Sequence, residues 1–542
     1  MADSHTGRLC VQIIHSHFGP ITSAISSALL TRGRLPLSQL VRITGYKPRT
    51  VISSILVLIQ HNLLWHARTE EDGEVLEVNV DECLMRLRFG TFVWQAERLF
   101  GKAAAEIVQV ILDHGKLRPP DILFHLGIYE PKTITVYTQA IHKLVSTSYL
   151  KASTILSHVS PRDKRIQYES EEKSKIVGFP TAKELREAKE VAEARLRREE
   201  AEAEQVGLKR KAKEPPGHRA AKRKLVEEEE DVVEDTVYFR VNFDKFNVHI
   251  RNSLIVKAAA ERFNEGASLV IQSALKVTES SQTSVAEVRS DPISMANIVL
   301  QLSSNDDLAS GLVLSSKKVS NSTCIKEYLG MLSSADNPTP AGRAGTFVSF
   351  GSSKVQVEFE IVGRRLRRRV LEAVTRERHG VRGLRILRLL LDTGKLDEKQ
   401  VSKVVMMAPK DVRPVLAALA ADSLISTQEV PKSADRNPTR TYYLWYVDLH
   451  KAYSVILGNL YKTLYNVGMR RRAEMEANEV KAVLEKRERS DVSQDESLLS
   501  RLERDILQGW EEKRKRLTVL EMRVEETVFI LKDLGVLGIN DD

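Results

Sequence analysis

Apolar residues recur at helical spacing through residues 8–31, at Leu9, Ile13, Ile14, Phe18, Ile21, Ile25 and Leu29, which predicts one long opening helix. The next stretch, residues 33–64 (GRLPLSQLVRITGYKPRTVISSILVLIQHNLL), predicts a helix, a turn, a longer helix and the start of a strand. Pro36 and Pro48 stand where helices begin, a position at which a missing N–H does no harm. Gly45 suits the turn between them. Residues 63–66 and 75–80 read as two strands around a polar tip at 70–73. Residues 394–425 overlie 33–64 without a gap. Gly33, Leu35, Gln39, Pro48, Val51, Leu58 and Leu63 face Gly394, Leu396, Gln400, Pro409, Val412, Leu419 and Leu424, and Leu40, Ile43 and Ile55 face Val401, Val404 and Leu416. An internal repeat fixes architecture before any other signal. The repeated unit reads as a winged helix, a helix-turn-helix closed by a small hairpin.

The same pattern extends to further units. A second has a helix over 92–114, then GKL at 115–117, a short helix at Ile122, Leu123 and Leu126, and Gly127 in the place of Gly45. Its Ile141, Leu144, Val145, Tyr149 and Leu150 echo Ile55, Leu58, Ile59, Leu63 and Leu64, with four extra residues in the middle. A third opens at 237–246, shows helical spacing at 245–263, 267–276, 292–302 and 322–334, and after a Pro/Gly/Ala-rich loop (335–345) ends in a β-like stretch over 346–361. A fourth starts at the arginine run 364–369 and closes with a strand over 441–447. If Asp411 caps its second helix, Pro414 falls at the third helical position, where no intrahelical bond is lost.

From residue 448 the stepping is Leu449, Tyr453, Ile456, Leu460, Leu464, Val467. After a polar break at 490–495 it resumes at Leu499, Leu502, Ile506, Trp510, Leu517, Leu520, Val524, Val528 and Leu531. Two such helices predict an antiparallel coiled-coil hairpin. Leu449, Tyr453, Ile456, Leu460, Leu517, Leu520 and Val524 are its candidate outside-partner contacts. The expected fold class is mainly α with small β-hairpin wings: tandem extended winged-helix domains at 1–88, 89–170, 236–362 and 363–447, a charged and largely disordered insert at 171–235, and the coiled-coil hairpin at 448–542.

A chain of 542 residues exceeds one hydrophobic core, in line with several domains. Its net charge of +9 admits a polyanionic partner. The three cysteines, Cys10, Cys83 and Cys324, have no CxxC spacing, which favours a reducing compartment and gives no zinc module. No apolar run reaches membrane-spanning length, and the start lacks a signal-peptide pattern, so no membrane partner is expected. The insert carries Lys209, Arg210, Lys211 and, after a spacer, Lys222, Arg223, Lys224, either a bipartite nuclear import signal or a solvated linker. Phosphate-loop, HExxH, GxSxG, DFG and EF-hand patterns are missing, and the histidines are scattered. No catalytic, metal or cofactor site is expected.

Winged helices that read bases offer Arg, Asn or Gln on the solvent face of the second helix. Here that face carries Lys47, Arg49, Thr50, Ser53, Ser54 and Gln60 in the first unit, and Lys410, Arg413, Ala417 and Ala421 in the fourth. This supports phosphate contact more than base readout. Arg364, Arg365, Arg367, Arg368 and Arg369 are further nucleic-acid candidates, with Arg470, Arg471 and Arg472 after them. Five arginines in six positions cannot share one helical face, so some must meet solvent, an acidic partner or phosphate.

The tandem winged helices and terminal hairpin, with FRVNFDKF at 239–246, QHNL at 60–63 and His17-Phe18-Gly19, resemble one family over nearly the whole chain. It is the winged-helix, third-largest subunit of DNA-directed RNA polymerase III. The resemblance implies four extended winged-helix domains and a coiled-coil hairpin, and kinship with the alpha subunit of the initiation factor TFIIE. It implies a heterotrimer with two other polymerase-III-specific subunits on the clamp of the largest subunit. It also implies promoter-directed initiation in the nucleus, contact with the initiation factor, and DNA contact without sequence preference, the subunit itself being non-catalytic. The alternative is a winged-helix scaffold of a non-polymerase assembly.

Overall fold

A computed structural model describes residues 4–69, 73–176, 181–206, 208–209, 232–302, 308, 311–312, 321–334, 346–351, 354–432, 441–489, 492 and 498–535. The chain forms two compact units, 1–246 and 247–542, and the protein is mainly helical with small antiparallel sheets.

In the first unit, the expected opening helix is two helices, Ser4–Phe18 and Pro20–Arg32. Gly19 sits at φ 85° between them, and Pro20 starts the second. The apolar spacing runs on across the break, so periodicity alone does not reveal it. The first winged helix follows as Leu37–Thr44 and Pro48–Gln60. Its sheet orders the strands Leu35–Pro36, Gly73–Val78 and Leu64–Thr69. Leu40, Val51, Ile55 and Leu58 are buried beneath these two helices, each contributing about 1.5–3 kcal/mol of transfer free energy.

The second winged helix has the helices Lys102–His114, Pro119–His125 and Pro131–Ser146. The span expected as one helix over 92–114 is again two, Phe89–Phe100 and Lys102–His114, parted at Gly101. Its strand Leu150–Ala152 pairs with Phe239–Val241, and Leu117 bridges Phe239 from the other side. The strand expected to open the third unit therefore completes the second unit's sheet. The pairing is long-range, and nothing local in Phe239–Val241 names the edge it joins. Everything between residues 153 and 238 is accordingly an insertion between two paired wing strands.

That insertion contains a helical hairpin, Pro161–Ser174 and Ala182–Gln205; its second arm is the polar helix that the composition of 182–204 allows, in a segment otherwise expected to be disordered from residue 171. Tyr168, Ala192 and Leu196 form its small core. Tyr168 donates a 2.5 Å hydrogen bond to Glu199, and the Arg195 guanidinium lies 4.1 Å from the Tyr168 ring centre. Thr181 and Glu184 close a reciprocal capping box at the second helix's start. Arg34 fastens the hairpin to the first wing, with its Nε 2.7 Å from Glu77 and its Nη2 2.7 and 2.9 Å from the Asp163 carboxylate.

The second unit holds two more modules. One comprises Glu265–Val277, Met295–Gln301 and Asn321–Ser333, with strands Ile293–Ser294, Lys354–Val357 and Val348–Gly351 in that sheet order. The β-like stretch ends sooner than 361, because the next helix, Phe359–Thr393, has already begun. This long helix breaks at Gly380 (φ 65°, ψ −166°). The loop expected at 335–345 lies outside the described residues.

The other module repeats the first with fidelity. Leu396–Asp397, Glu398–Val405 and Pro409–Ala421 match Leu35–Pro36, Leu37–Thr44 and Pro48–Gln60. Its sheet orders Leu396–Asp397, Thr441–Tyr446 and Ser426–Pro431, as in the first. The left-handed residues also coincide: Gly45 (φ 70°) with Met406 (φ 56°), and Asn62 (φ 57°) with Ser423 (φ 57°). Ser148 (φ 62°) takes the same place in the second module. Pro414 differs from expectation. The helix starts at Pro409 with Ala408 as its cap, so Pro414 is inside it and leaves the Lys410 carbonyl without a helical donor.

The C-terminal region is a helical hairpin. One arm is Leu449–Glu476 followed by Asn478–Arg487, with the backbone leaving helical geometry at Ala477, and the other is Arg501–Lys532. Ion pairs Arg471–Glu521, Glu474–Lys513 and Lys486–Glu503 run in opposite chain directions, so the arms are antiparallel. Phe529, Ile530 and Leu534 at the end of the second arm join the core of the third module.

Candidate functional site

The second helix of the first winged helix, Pro48–Gln60, buries Val51, Ser54, Ile55 and Leu58. Its outer face carries Arg49, Ile52, Ser53, Leu56 and Val57, with Leu56 60% exposed. At helical spacing these residues make a face with one cation near its start and aliphatic groups across its middle. Two residues expected on that face are elsewhere. Ser54 is buried, and Gln60 donates through Nε2 to the carbonyls of His114 (3.2 Å) and Lys116 (2.6 Å). A glutamine spent on backbone carbonyls cannot read adenine. Lys47 and Arg49 are exposed where the helix begins, as expected of phosphate contacts. Tyr46 and Leu37 add exposed apolar surface nearby in the chain.

In the fourth module, the corresponding helix exposes Lys410, Arg413, Pro414, Ala417 and Ala418. Arg413 donates from Nε to Glu398 Oε1 at 2.6 Å, which occupies part of its fork. Met406, on the left-handed turn before the helix, is 91% exposed. Neither helix presents a set of amide or guanidinium groups arranged for base edges.

Behind the first recognition-type helix lies a partly buried polar cluster, with Arg86 at its buried centre and His17 at its exposed edge. The His61 ring lies 4.7 Å from that of Phe18, tilted by 56°, and the Arg86 guanidinium lies 4.4 Å from the Phe18 ring centre. Burial, and then the charge of Arg86, lower His61 to about 3 and His17 to about 4, so both are neutral. Burial also lowers Arg86 to about 10. Glu82 accepts from Arg240 at 3.1 Å, and burial raises its carboxyl pKa against the pull of that arginine. Lys116 Nζ stands 2.7 Å from His158 Nε2; burial lowers the lysine to about 8 and the histidine to about 4. With the histidine neutral, its Nε2 accepts from the ammonium. Of these groups His61, Glu82, Arg86 and Arg240 line a small, partly open pocket together with Asn62 and Phe89. The cluster has no nucleophile–base pair. Among the described residues no group of His, Cys, Asp and Glu is placed to hold a metal ion, and the three cysteines are buried and unpaired. No described helix is long and apolar enough to cross a membrane.

Two family models match the chain. One, described as the RNA polymerase III subunit RPC82 helix-turn-helix domain, covers residues 8–66, and the other, described as the POLR3C C-terminal winged-helix domain, covers 371–447. Among curated proteins, the chain is 26% identical to DNA-directed RNA polymerase III subunit RPC3 of Bos taurus over 554 residues, covering 97% of each. It is 25% identical to the Homo sapiens protein of the same name (97% of each), and 25% identical to subunit RPC-3 of Coccidioides immitis (98% of this chain, 99% of that one). The chain is similar along nearly its whole length to RPC3 subunits of RNA polymerase III. The two matched segments contain the two copies of the repeat, 33–64 and 394–425.

Within this chain the arginine run is mostly committed to its own fold. Arg367 is 1% exposed, near the Tyr453 ring and the backbone at Gly535, so it cannot meet nucleic acid as expected. Arg364 pairs with Glu360 at 2.8 Å, Arg368 with Glu372 and Asp392 at 3.1 and 2.8 Å, and Arg369 with Glu261. Arg365 lies 5.4 Å from the Phe347 ring centre. The run sits at a helix start among carboxylates, a relation invisible in one-dimensional charge counts. Arg470, Arg471 and Arg472 pair likewise with Glu474, Glu521 and Glu476.

On the hairpin, Tyr453 and Ile456 are buried within the chain and offer nothing to an outside partner, against expectation. Leu449, Leu460, Leu517 and Val524 are half-buried, and Leu520 is exposed beside Val519 and Met522, which periodicity did not single out. Of the expected import residues, Lys209 lies in a short strand pairing with Val232, while Arg210, Lys211, Lys222, Arg223 and Lys224 fall outside the described residues.

Proposed function

We propose that this chain is a non-catalytic, polymerase-specific subunit acting in promoter-directed initiation by RNA polymerase III. It docks two other polymerase-III-specific subunits and the clamp of the largest subunit, meets the initiation factor, and contacts DNA without sequence preference. The observation carrying this reading is the aliphatic solvent face of the Pro48–Gln60 helix, Ile52, Leu56 and Val57, where a base-reading protein would carry polar groups. Lys47, Arg49, Lys410 and Arg413, all exposed at the starts of the two matching helices, suit backbone phosphates. Four winged-helix modules are part of the reading, the second closing at residue 246. Nuclear entry by way of Lys209–Lys211 and Lys222–Lys224 fits a polymerase III subunit.

Affinity capture of the full chain, followed by mass spectrometry, tests the assembly. Polymerase III subunits should co-purify, two polymerase-specific ones in equal amount with the bait. Recovery of a different assembly with no polymerase subunit sinks the proposal. Selection from random duplex DNA should return no consensus, and a sharp consensus would overturn the account of DNA contact.

A further inference from the structure

We propose that the pocket lined by Arg86, Arg240 and Asn62 binds a free phosphate ion, the two guanidinium groups donating to its oxygens and Asn62 accepting from its hydroxyl.

Arg86 sits on the single turn Arg86–Arg88, between the helices Val80–Met85 and Phe89–Phe100. It is 8% exposed. Its guanidinium lies 4.4 Å from the Phe18 ring centre and 5.2 Å from that of Phe89. Such ring contacts use the flat face of the group and leave its N–H edge for an acceptor lying in the plane. Among the described residues Arg86 forms no ion pair, and its buried Nε has no hydrogen-bond partner. Glu82 and Asp113 attract it only through space. Ring contacts return less than the burial of an ion costs, so this charge lacks its counterpart within the fold.

Two further lining groups are in the same condition. Arg240 donates to Glu82 Oε1 at 3.1 Å, while its buried Nε has no partner. Asn62 is 7% exposed, and its Oδ1 is buried without a donor. Glu82 answers the charge of Arg240 and His61 is neutral, which leaves the cation of Arg86 uncompensated in the lining. Buried polar groups in native proteins are nearly always satisfied, by water or an ion where the chain does not do it. A water satisfies Asn62 but brings no charge to Arg86. Two donors, one acceptor and one surplus positive charge select an oxyanion that keeps an O–H. Inorganic phosphate at neutral pH is such an ion. Sulfate is not, and a phosphodiester carries no proton to give to Asn62. The pocket is small and partly open, which suits a tetrahedral ion rather than an extended ligand.

The test is isothermal titration of the full chain with sodium phosphate, against sodium sulfate and sodium chloride at matched ionic strength. Phosphate should saturate one site per chain, and sulfate should bind about 5- to 150-fold more weakly, because it leaves the Asn62 acceptor unmade. Arg86→Met, which keeps apolar contact with the rings, should weaken phosphate at least about tenfold. Asn62→Gly, tolerated at this left-handed position (φ 57°), should erase the preference for phosphate over sulfate. Arg42→Met, an exposed cation outside the pocket, should bind as the parent does. Circular-dichroism melting checks that each variant is folded; should Arg86→Met not fold, the loss of selectivity in Asn62→Gly carries the test. No saturable uptake by the parent, or chloride or sulfate binding as tightly as phosphate, overturns the site. So does phosphate binding unchanged in folded Arg86→Met, selectivity unchanged in Asn62→Gly, or an equal loss in Arg42→Met.

Discussion

The backbone of Gly115 lies against that of Gln60: a Cβ on Gly115 would stand 2.3 Å from the Gln60 carbonyl oxygen and 2.9 Å from its carbon. Gly115 also holds φ 89°, and the carbonyls on either side of it accept from the Gln60 side chain. The end of the first recognition-type helix is therefore clasped by a turn of the second module. Gly115→Ala should cost at least about 2 kcal/mol, from backbone strain plus a clash with main-chain atoms that cannot rotate away. Gly33→Ala is the control, with φ 86° but open space around the new carbon, and should cost less. Urea unfolding of both variants measures the difference; equal losses would show that the clasp is loose.

Arg367 and Arg369 are neighbours in sequence with opposite fates. Arg367→Ala should destabilise the second unit by about 3–5 kcal/mol, because a buried charge site loses its occupant. Arg369→Ala, removing an exposed pair with Glu261, should cost no more than about 1 kcal/mol. Neither should change duplex affinity selectively. A large DNA-binding loss in folded Arg367→Ala would contradict its buried placement.

The neutral histidines make the first unit acid-sensitive. His61 and His17 are lowered to about 3 and 4 from an ordinary 6.5, so the unfolded chain takes up protons that the folded one refuses. Their contribution is complete above pH ~6.5 and is lost as pH falls toward the folded values. His61→Gln should flatten the fall in unfolding midpoint between pH ~6.5 and ~4. An identical pH profile in the variant would mean that His61 protonates freely in the folded chain.

Leu56 tests docking. It is 60% exposed, so Leu56→Glu should leave stability within about 0.5 kcal/mol. Co-purification of polymerase subunits should fall several-fold. Undiminished recovery of every partner would move the docking face away from this helix.

The duplicated helix pair could be read from the chain because its signals are local. Leu40, Val51, Ile55 and Leu58 recur as Val401, Val412, Leu416 and Leu419, all buried. The left-handed positions recur even where Gly45 has become Met406 and Asn62 has become Ser423. What periodicity missed was either a break that keeps the apolar phase, as at Gly19 and Gly101, or a partner far away in sequence. The arginine run shows the second kind: Glu261 and Asp392, which hold Arg369 and Arg368, are remote from it. The same holds for Gln60, whose partners lie in the next module.

The divided wing sets an order for synthesis. Ala152 leaves the ribosome well before Phe239, its partner in the sheet. At ~5–20 residues per second, the edge of Leu150–Ala152 stays uncovered for on the order of ten seconds. In that interval the hairpin of Pro161–Ser174 and Ala182–Gln205, whose contacts are nearer in sequence, can assemble first. A fragment stopped at residue 170 would never seal that edge, and its bare main-chain donors and acceptors would invite pairing between chains.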